Sequence, residues 1–112
     1  DSQMSMFDRI SAASDLGSAK AYADLVDENC VFVRNQTGTT MNKAEIVAML
    51  EKMFASGGRF GKRRCIYEND DILVVHSIND YPDGSREAVL AAYTLKGGKI
   101  TRLETGATPV SK

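Results

Sequence analysis

Asn42-Lys43-Ala44-Glu45-Ile46-Val47-Ala48-Met49-Leu50-Glu51-Lys52-Met53-Phe54-Ala55-Ser56-Gly57-Gly58 is the stretch on which the fold turns. Asn42 followed three residues later by Glu45 resembles a capping box, in which each side chain answers the other's backbone amide. Ile46, Val47, Leu50, Met53 and Phe54 then recur at helical spacing. Lys43, Glu45, Glu51 and Lys52 take the outer face, so the segment is an amphipathic helix. Gly57-Gly58 supplies a left-handed residue to end it. Every residue after this helix reads as strand and turn, and most of what precedes it reads as helix.

Downstream, Phe60 to Glu68 is expected to be a strand with Arg63 and Arg64 inside it. Asn69-Asp70-Asp71 is a tight turn, Ile72 to Asp80 the next strand and Tyr81-Pro82-Asp83-Gly84 a second turn. Arg86 to Lys96 is a long strand, apolar on both faces. Gly97-Gly98 is a two-residue hairpin turn, and Lys99 to Ala107 is the last strand. Upstream, residues 2–14 place Met6, Phe7, Ile10 and Ala13 on one helix face. Asp15-Leu16-Gly17 breaks that helix, and Ser18 caps a second with Ala19, Tyr22, Ala23 and Val26 inward. Asp27-Glu28-Asn29 ends it, Cys30 to Arg34 is a short β-branched and aromatic strand, and Asn35 to Thr40 is a polar loop. The order is α-α-β-α-β-β-β-β. Helices gather early and strands late, the pattern of an α+β fold with helices on one face of an antiparallel sheet.

The whole chain, residues 1–112, is read as one domain, since no linker, repeat or low-complexity tract interrupts it. Lys plus Arg count 14 and Asp plus Glu 15, for a net charge of −1. That balance argues against a nucleic-acid partner bound by bulk charge. No apolar run approaches the roughly 18 residues of a membrane span. No basic-then-apolar leader opens the chain, so the expected location is cytoplasmic, although a start at Asp1 rather than Met leaves room for a removed leader. Cys30 and Cys65 do not make a disulfide scaffold. With His76 as the single histidine and no glycine-rich phosphate loop, the expectation is no metal and no cofactor.

The order of elements, with particular residues at the joints, resembles the nuclear transport factor 2-like superfamily in its SnoaL-like branch. The resemblance runs from about Phe7 to Ala107. It rests on Leu16-Gly17-Ser18, on Ala23 through Phe32, on Gly38 through Ile46, and on Leu95 through Ile100. It implies a cone, in which three N-terminal helices pack in the concave face of a strongly bent, mainly antiparallel sheet. The open end of such a cone holds a largely apolar cavity. Side chains alternate along a strand, so one pocket residue fixes a whole face. On that basis Val31 and Val33 are expected inward on the first strand, and Val74, His76, Ile78 and Asp80 inward on the strand after the Asp70-Asp71 turn. Ala88, Leu90 and Ala92 follow on the next strand, and Thr101, Leu103 and Thr105 on the last. Tyr22 and Arg34 complete the expected binding set.

The ketosteroid isomerase-like members of that superfamily use carboxylates, for which this chain has no match. The positions expected to carry them fall at Val33, or at Arg34 or Asn35 with a slipped register, and near Ala88. His76 is the sharpest catalytic candidate, because a neutral imidazole in an apolar pocket suits a general base near pH 7. Asp80 shares its expected face but lies about 13 Å along the strand, so a dyad requires a bend. The alternative is a histidine that simply hydrogen-bonds a backbone group or a water. Arg63 and Arg64, with Lys62, read either as an anion site or as a solvated strand face.

Two functions follow from the resemblance. One is binding of a small hydrophobic molecule in the cone, with weak isomerase, cyclase or hydrolase activity on a carbonyl or lactone compound. The other is a non-catalytic dimerising domain resembling a kinase association domain, with Arg64 or Arg102 as a cavity arginine. A homodimer is expected through the outer sheet face, with Val89, Ala91, Tyr93 and Leu95 forming an outer apolar row.

Overall fold

The structure is a computed structural model that describes residues 4–81 and 83–111. Helices α1 (Met6–Leu16) and α2 (Ala19–Ala23) precede strands β1 (Val26–Arg34) and β2 (Thr39–Met41). Helix α3 (Lys43–Ala55) follows, then β3 (Lys62–Glu68), β4 (Ile72–Asp80), β5 (Arg86–Lys96) and β6 (Lys99–Pro109). One six-stranded sheet results, in the order β2-β1-β6-β5-β4-β3. Among the described residues, only the β1–β6 pair is parallel. The fold class is the expected α+β cone.

Local chemistry explains most boundaries. Ser5, Ser18 and Asn42 cap the three helices, each side chain accepting from a backbone amide three residues on. The Asn42/Glu45 capping box closes in both directions, at 2.9 Å each way. Gly17 ends α1 in the left-handed region at φ 65°, where a Cβ would be strained. The β4–β5 turn contains Pro82, which lies outside the described residues. At the β3–β4 turn, Asn69 Oδ1 accepts from the amides of Asp71 and Ile72, at 2.8 Å each. Gly97 and Gly98 both have positive φ, as a type I′ hairpin requires.

Several ends shift: α1 runs on through Asp15 and Leu16, β3 starts at Lys62 rather than Phe60, and β6 reaches Pro109 rather than Ala107; two further elements differ in kind. Val26 is not on α2. It opens β1, buried, and pairs with Ile100, because Leu25 C=O accepts from the Ile100 amide at 2.8 Å and draws the chain into the sheet. The segment after Arg34 is not only loop, since Thr39–Met41 folds back as β2 and pairs with Phe32 to Arg34. Irregularities in β1, at Cys65/Tyr67 and at Thr94/Leu95 interrupt the ladders. Bulges of this kind bend a strand and increase its twist, which lets the sheet curl round the helices.

The core lies between the concave face and the helices. Met6, Ile10 and Ala13 come from α1, Ala19 and Tyr22 from α2, and Ile46, Leu50 and Phe54 from α3. They meet Phe32, Leu73, Val75, Tyr93, Leu95, Ile100 and Leu103. Helix α1 is also tied to the edge of the sheet. The Glu68 carboxylate accepts from the Met6 and Phe7 amides, at 2.8 and 3.4 Å, where the helix N-terminus favours a negative charge.

Candidate functional site

Directly paired residues on neighbouring strands share a face, so the register decides what looks into the cone. Leu73 pairs with Tyr93 and Val75 with Ala91. Leu73 is fully buried and Val75 is 2% exposed, both within the helix-packed core. The inner face of β4 is therefore Leu73, Val75, Ser77 and Asn79. On β5 it is Val89, Ala91, Tyr93 and Leu95. Leu103 and Thr105 of β6 pair with Tyr93 and Ala91, and Phe32 and Arg34 of β1 pair with Leu103 and Thr105.

Four of the expected site residues thus lie on the helix side: Tyr22, Arg34, Leu103 and Thr105. Thr101 sits at the β5–β6 irregularity, where its hydroxyl donates to Thr94 C=O at 3.1 Å. The others take the opposite face. Val31 and Val33 alternate outward around buried Phe32. Val74, His76, Ile78 and Asp80 alternate outward around Leu73 and Val75, and Ala88, Leu90 and Ala92 pair with Ile78, His76 and Val74 on that outer face. The correction has one physical cause. Both faces of β4 and β5 carry apolar side chains, and the bulkier row, Leu73/Val75 with Tyr93/Leu95, packs against the helices. The row expected to be outer, Val89, Ala91, Tyr93 and Leu95, is for the same reason the inner one. His76 stands between Arg64 and Leu90 across its two neighbouring strands. Asp80 is held by Arg86 through two contacts of 2.7 and 3.3 Å, a cross-strand ion pair beside the turn. Arg102 is paired with Glu104 at 3.2 Å, and Arg64 lies on the outer face with His76.

Besides Arg34, a charged side chain on the inner face is Arg63, the middle of the Lys62-Arg63-Arg64 run. It pairs with inner-face Ser77. Its guanidinium lies over the rings of Phe7 and Phe60, at 5.0 and 5.4 Å from their centroids. Nη1 donates to Ser11 Oγ at 2.9 Å. Nη2 is buried and, among the described residues, makes no hydrogen bond of normal length, although the Arg63 side chain also interacts with the Tyr93 phenol. The Arg63 side chain also lines a pocket of about 210 Å³, together with Phe7, Ser11, Ser14, Asp15, Phe60 and Gly61. Ser14 Oγ accepts from the Phe60 amide at 2.8 Å. This pocket is small and carries several polar groups, unlike the broad apolar cavity expected.

Behind the pocket stand Tyr22 and Tyr93, both buried. Their phenols are hydrogen-bonded to each other, and burial pushes both pKa values up, that of Tyr22 well above the ordinary range. Burial is the larger effect at Tyr93, although the nearby Arg63 charge and hydrogen bonds pull the other way. Both phenols are therefore neutral at ordinary pH. Among the described residues, no three His, Cys, Asp or Glu side chains gather as a metal-ligating group. No helix among them is long and apolar enough to cross a membrane.

A family model described as the SnoaL-like domain matches residues 7–103. The chain belongs to that family. No curated protein matches it. Among solved structures, a protein from Sphaerobacter thermophilus superposes with a TM-score of 0.74 at 14% identity, covering 95% of this chain and 98% of that one. A nuclear transport factor 2-like protein of unknown function from Burkholderia xenovorans gives 0.70 at 15% identity, over 95% and 82%. A protein with a ketosteroid isomerase-like fold from Catenulispora acidiphila, solved in complex with trimethylamine, gives 0.62 at 14% identity, over 89% and 82%. At these identities the likeness is one of fold.

Ser11, Ser14, Phe60 and Tyr93 of this SnoaL-like domain were not singled out as site residues by the sequence pattern, and Arg63 was marked only within the Lys62-Arg63-Arg64 run, as an anion site or a solvated strand face. A usable signal lay in α1, where Phe7, Ser11 and Ser14 fall at helical spacing and place two hydroxyls on an otherwise core-facing stripe.

Proposed function

We propose that this domain binds a small organic molecule through an acceptor oxygen, carboxylate or carbonyl, seated against Arg63. One observation carries the reading: the Arg63 guanidinium, with one buried nitrogen that makes no hydrogen bond of normal length among the described residues, belongs to a side chain that lines a pocket. Buried donors are paired in the great majority of cases, and guanidinium matches carboxylate geometry. A volume of 210 Å³ lies below the ~300 Å³ at which drug-sized sites begin, so the ligand is compact. The trimethylamine complex of the Catenulispora protein supports small ligands in this fold. The donors would orient a carbonyl or lactone oxygen as well, but a proton-transfer step would also need a base. Asp15 is the one carboxylate lining the pocket. Binding is therefore the function we assign.

The test is calorimetry with acetate, using acetamide as the neutral control. The parent should bind acetate more tightly than acetamide, and Arg63→Met should abolish the difference. At a hundredfold excess over Kd, binding should add about 2.7 kcal/mol of stability. Equal acetate binding by parent and Arg63→Met would refute the reading.

A second reading concerns a partner. Leu90 is 52% and Tyr67 56% exposed on the outer face, with Val31 and Ile72 also exposed there. Exposed apolar side chains gathered on one side of a sheet favour an interface, and we propose a second copy of this chain as its occupant. Light scattering should give twice the 12.2 kDa monomer mass, and Leu90→Asp should return it to the monomer.

A further inference from the structure

We propose, resting on the Arg63 binding site, that Phe60 is a displaceable plug and that the preferred ligands are carboxylates bearing a ring. In the bound state the ligand's ring takes the place of Phe60 against Tyr22 and Phe54, while its carboxylate meets Arg63.

The connection between α3 and β3 is the starting point. Phe60 sits with Arg59 between Gly58 and Gly61, and none of these four residues is in a helix or strand. Each glycine sits where a side chain would collide, Gly58 with the Met53 side chain and Gly61 with the Ile78 backbone. The clip is therefore pinned at its two ends and carries two side chains between them. Its middle is held by few bonds. The Phe60 amide donates to Ser14 Oγ, and the Gly61 amide donates to Asn79 Oδ1 at 3.2 Å. Arg59 Nη1 donates to the Gly58 and Phe54 carbonyls at 2.6 and 3.5 Å, and among the described residues no strand pairing includes the clip. Segments fixed by a few side-chain acceptors and flanked by glycine are where a chain opens most easily.

The surroundings of the Phe60 ring are those of a ring-binding slot. Tyr22 meets it edge-on, with centroids 6.0 Å apart and planes at 79°. Phe54 is tilted against it, also at 6.0 Å. Arg63 covers it at 5.4 Å and covers Phe7 on its other side. Tyr22 and Phe54 are buried, whereas Phe60 is half-buried. The pocket under Arg63 ends on Phe60, so withdrawal of this side chain joins the pocket to the slot. An incoming ring recovers the aromatic contacts in kind, and Arg63 gains the acceptor that Nη2 lacks.

Acetate and phenylacetate separate the plug from the site, because acetate needs only the closed pocket. Asn79→Ala removes one tie of the clip, the bond to Gly61, at a residue that does not itself line the pocket. It should lower the phenylacetate Kd about threefold or more by raising the open population, while acetate affinity stays at the parent value. In the parent, NOEs from the phenylacetate ring should reach the Tyr22 and Phe54 rings. An unchanged phenylacetate-to-acetate ratio in Asn79→Ala, or NOEs confined to Phe7 and Phe60, overturns the plug and leaves the Arg63 site standing. A parent that binds neither carboxylate overturns both. The NOE measurement uses the unmodified chain, so it decides the matter even where Asn79→Ala fails to fold.

Discussion

The two faces of this sheet are made from the same strands and behave as different materials. On β4, Leu73 and Val75 are sealed under helices, while Ile72, Val74, His76 and Ile78 look away from them. The inner face is apolar and filled over most of its length, and turns polar toward one end at Arg34, Ser77, Asn79 and Arg63. The outer face stays open and mixed. Alternation along a strand creates two faces but does not choose between them. The choice falls to side-chain bulk and to what the helices offer in return. Here Ile10, Tyr22, Leu50 and Phe54 favour the row with Tyr93 and Leu95.

The sharpest contrast between the faces should appear in stability. Leu73→Ala empties a fully buried site and should cost about 2–5 kcal/mol. Leu90→Ala, on the outer face, should stay within about 0.5 kcal/mol in dilute protein. Chemical denaturation of both variants compares them directly, and equal losses would abolish the distinction.

A pH titration should single out the inner face next. Tyr22 and Tyr93 have pKa values raised by burial. Above pH ~10 the unfolded phenols ionise while the folded ones stay protonated. The unfolded state then holds fewer protons, so stability present below pH 10 is lost as pH rises further. The slope should approach about 1.4 kcal/mol per pH unit for each tyrosine. Tyr22→Phe should flatten it. A melting temperature indifferent to pH between 10 and 11 would count against the buried phenol pair.

The edge of the sheet should respond more weakly. Glu68→Gln keeps an acceptor for the α1 amides but removes the charge that the helix N-terminus favours. A loss of about 0.3–1 kcal/mol is expected, diminishing with added salt. A loss unchanged by salt would mean that geometry, rather than charge, holds α1 to β3.

The elements were legible in the sequence because each boundary is local chemistry: Asn42 with Glu45, Ser18, Gly17, Asn69 and Gly97-Gly98 act on neighbours a few residues away. The strands Ile72–Asp80 and Arg86–Lys96 could be read to their ends for that reason. β2 was not legible, because Thr39–Met41 is a strand only through its pairing with β1. The site was less legible for two reasons. Apolar rows on both sides of β4 and β5 left the face undetermined, and the imidazole of His76 attracted attention to the outer row. Arg63 lay hidden between two exposed cations, Lys62 and Arg64. Its inward turn depends on Phe7, Ser11 and Phe60, which are distant or separately placed in the chain and meet it only in the fold.

His76 gives the smallest expected effect and the most direct test of that face assignment. It lies across from Arg64 and Leu90, on the side of β4 away from Tyr22 and the Arg63 pocket. Removal of its ring takes nothing from the pocket wall and leaves the inner packing of Leu73 and Val75 intact. His76→Ala should therefore bind acetate with the parent's Kd and shift stability by no more than about 0.5 kcal/mol. His76→Phe should behave the same way in acetate binding, since it also leaves the pocket untouched. The proposed dimer makes the two substitutions diverge elsewhere. A larger apolar ring on the outer face should tighten association, while the alanine loosens it, and sedimentation across a dilution series reads both. If His76→Ala instead abolished acetate binding while its melting temperature and dimer constant stayed at parent values, the ligand would have to sit on the outer face, and Arg63 would not be its anchor.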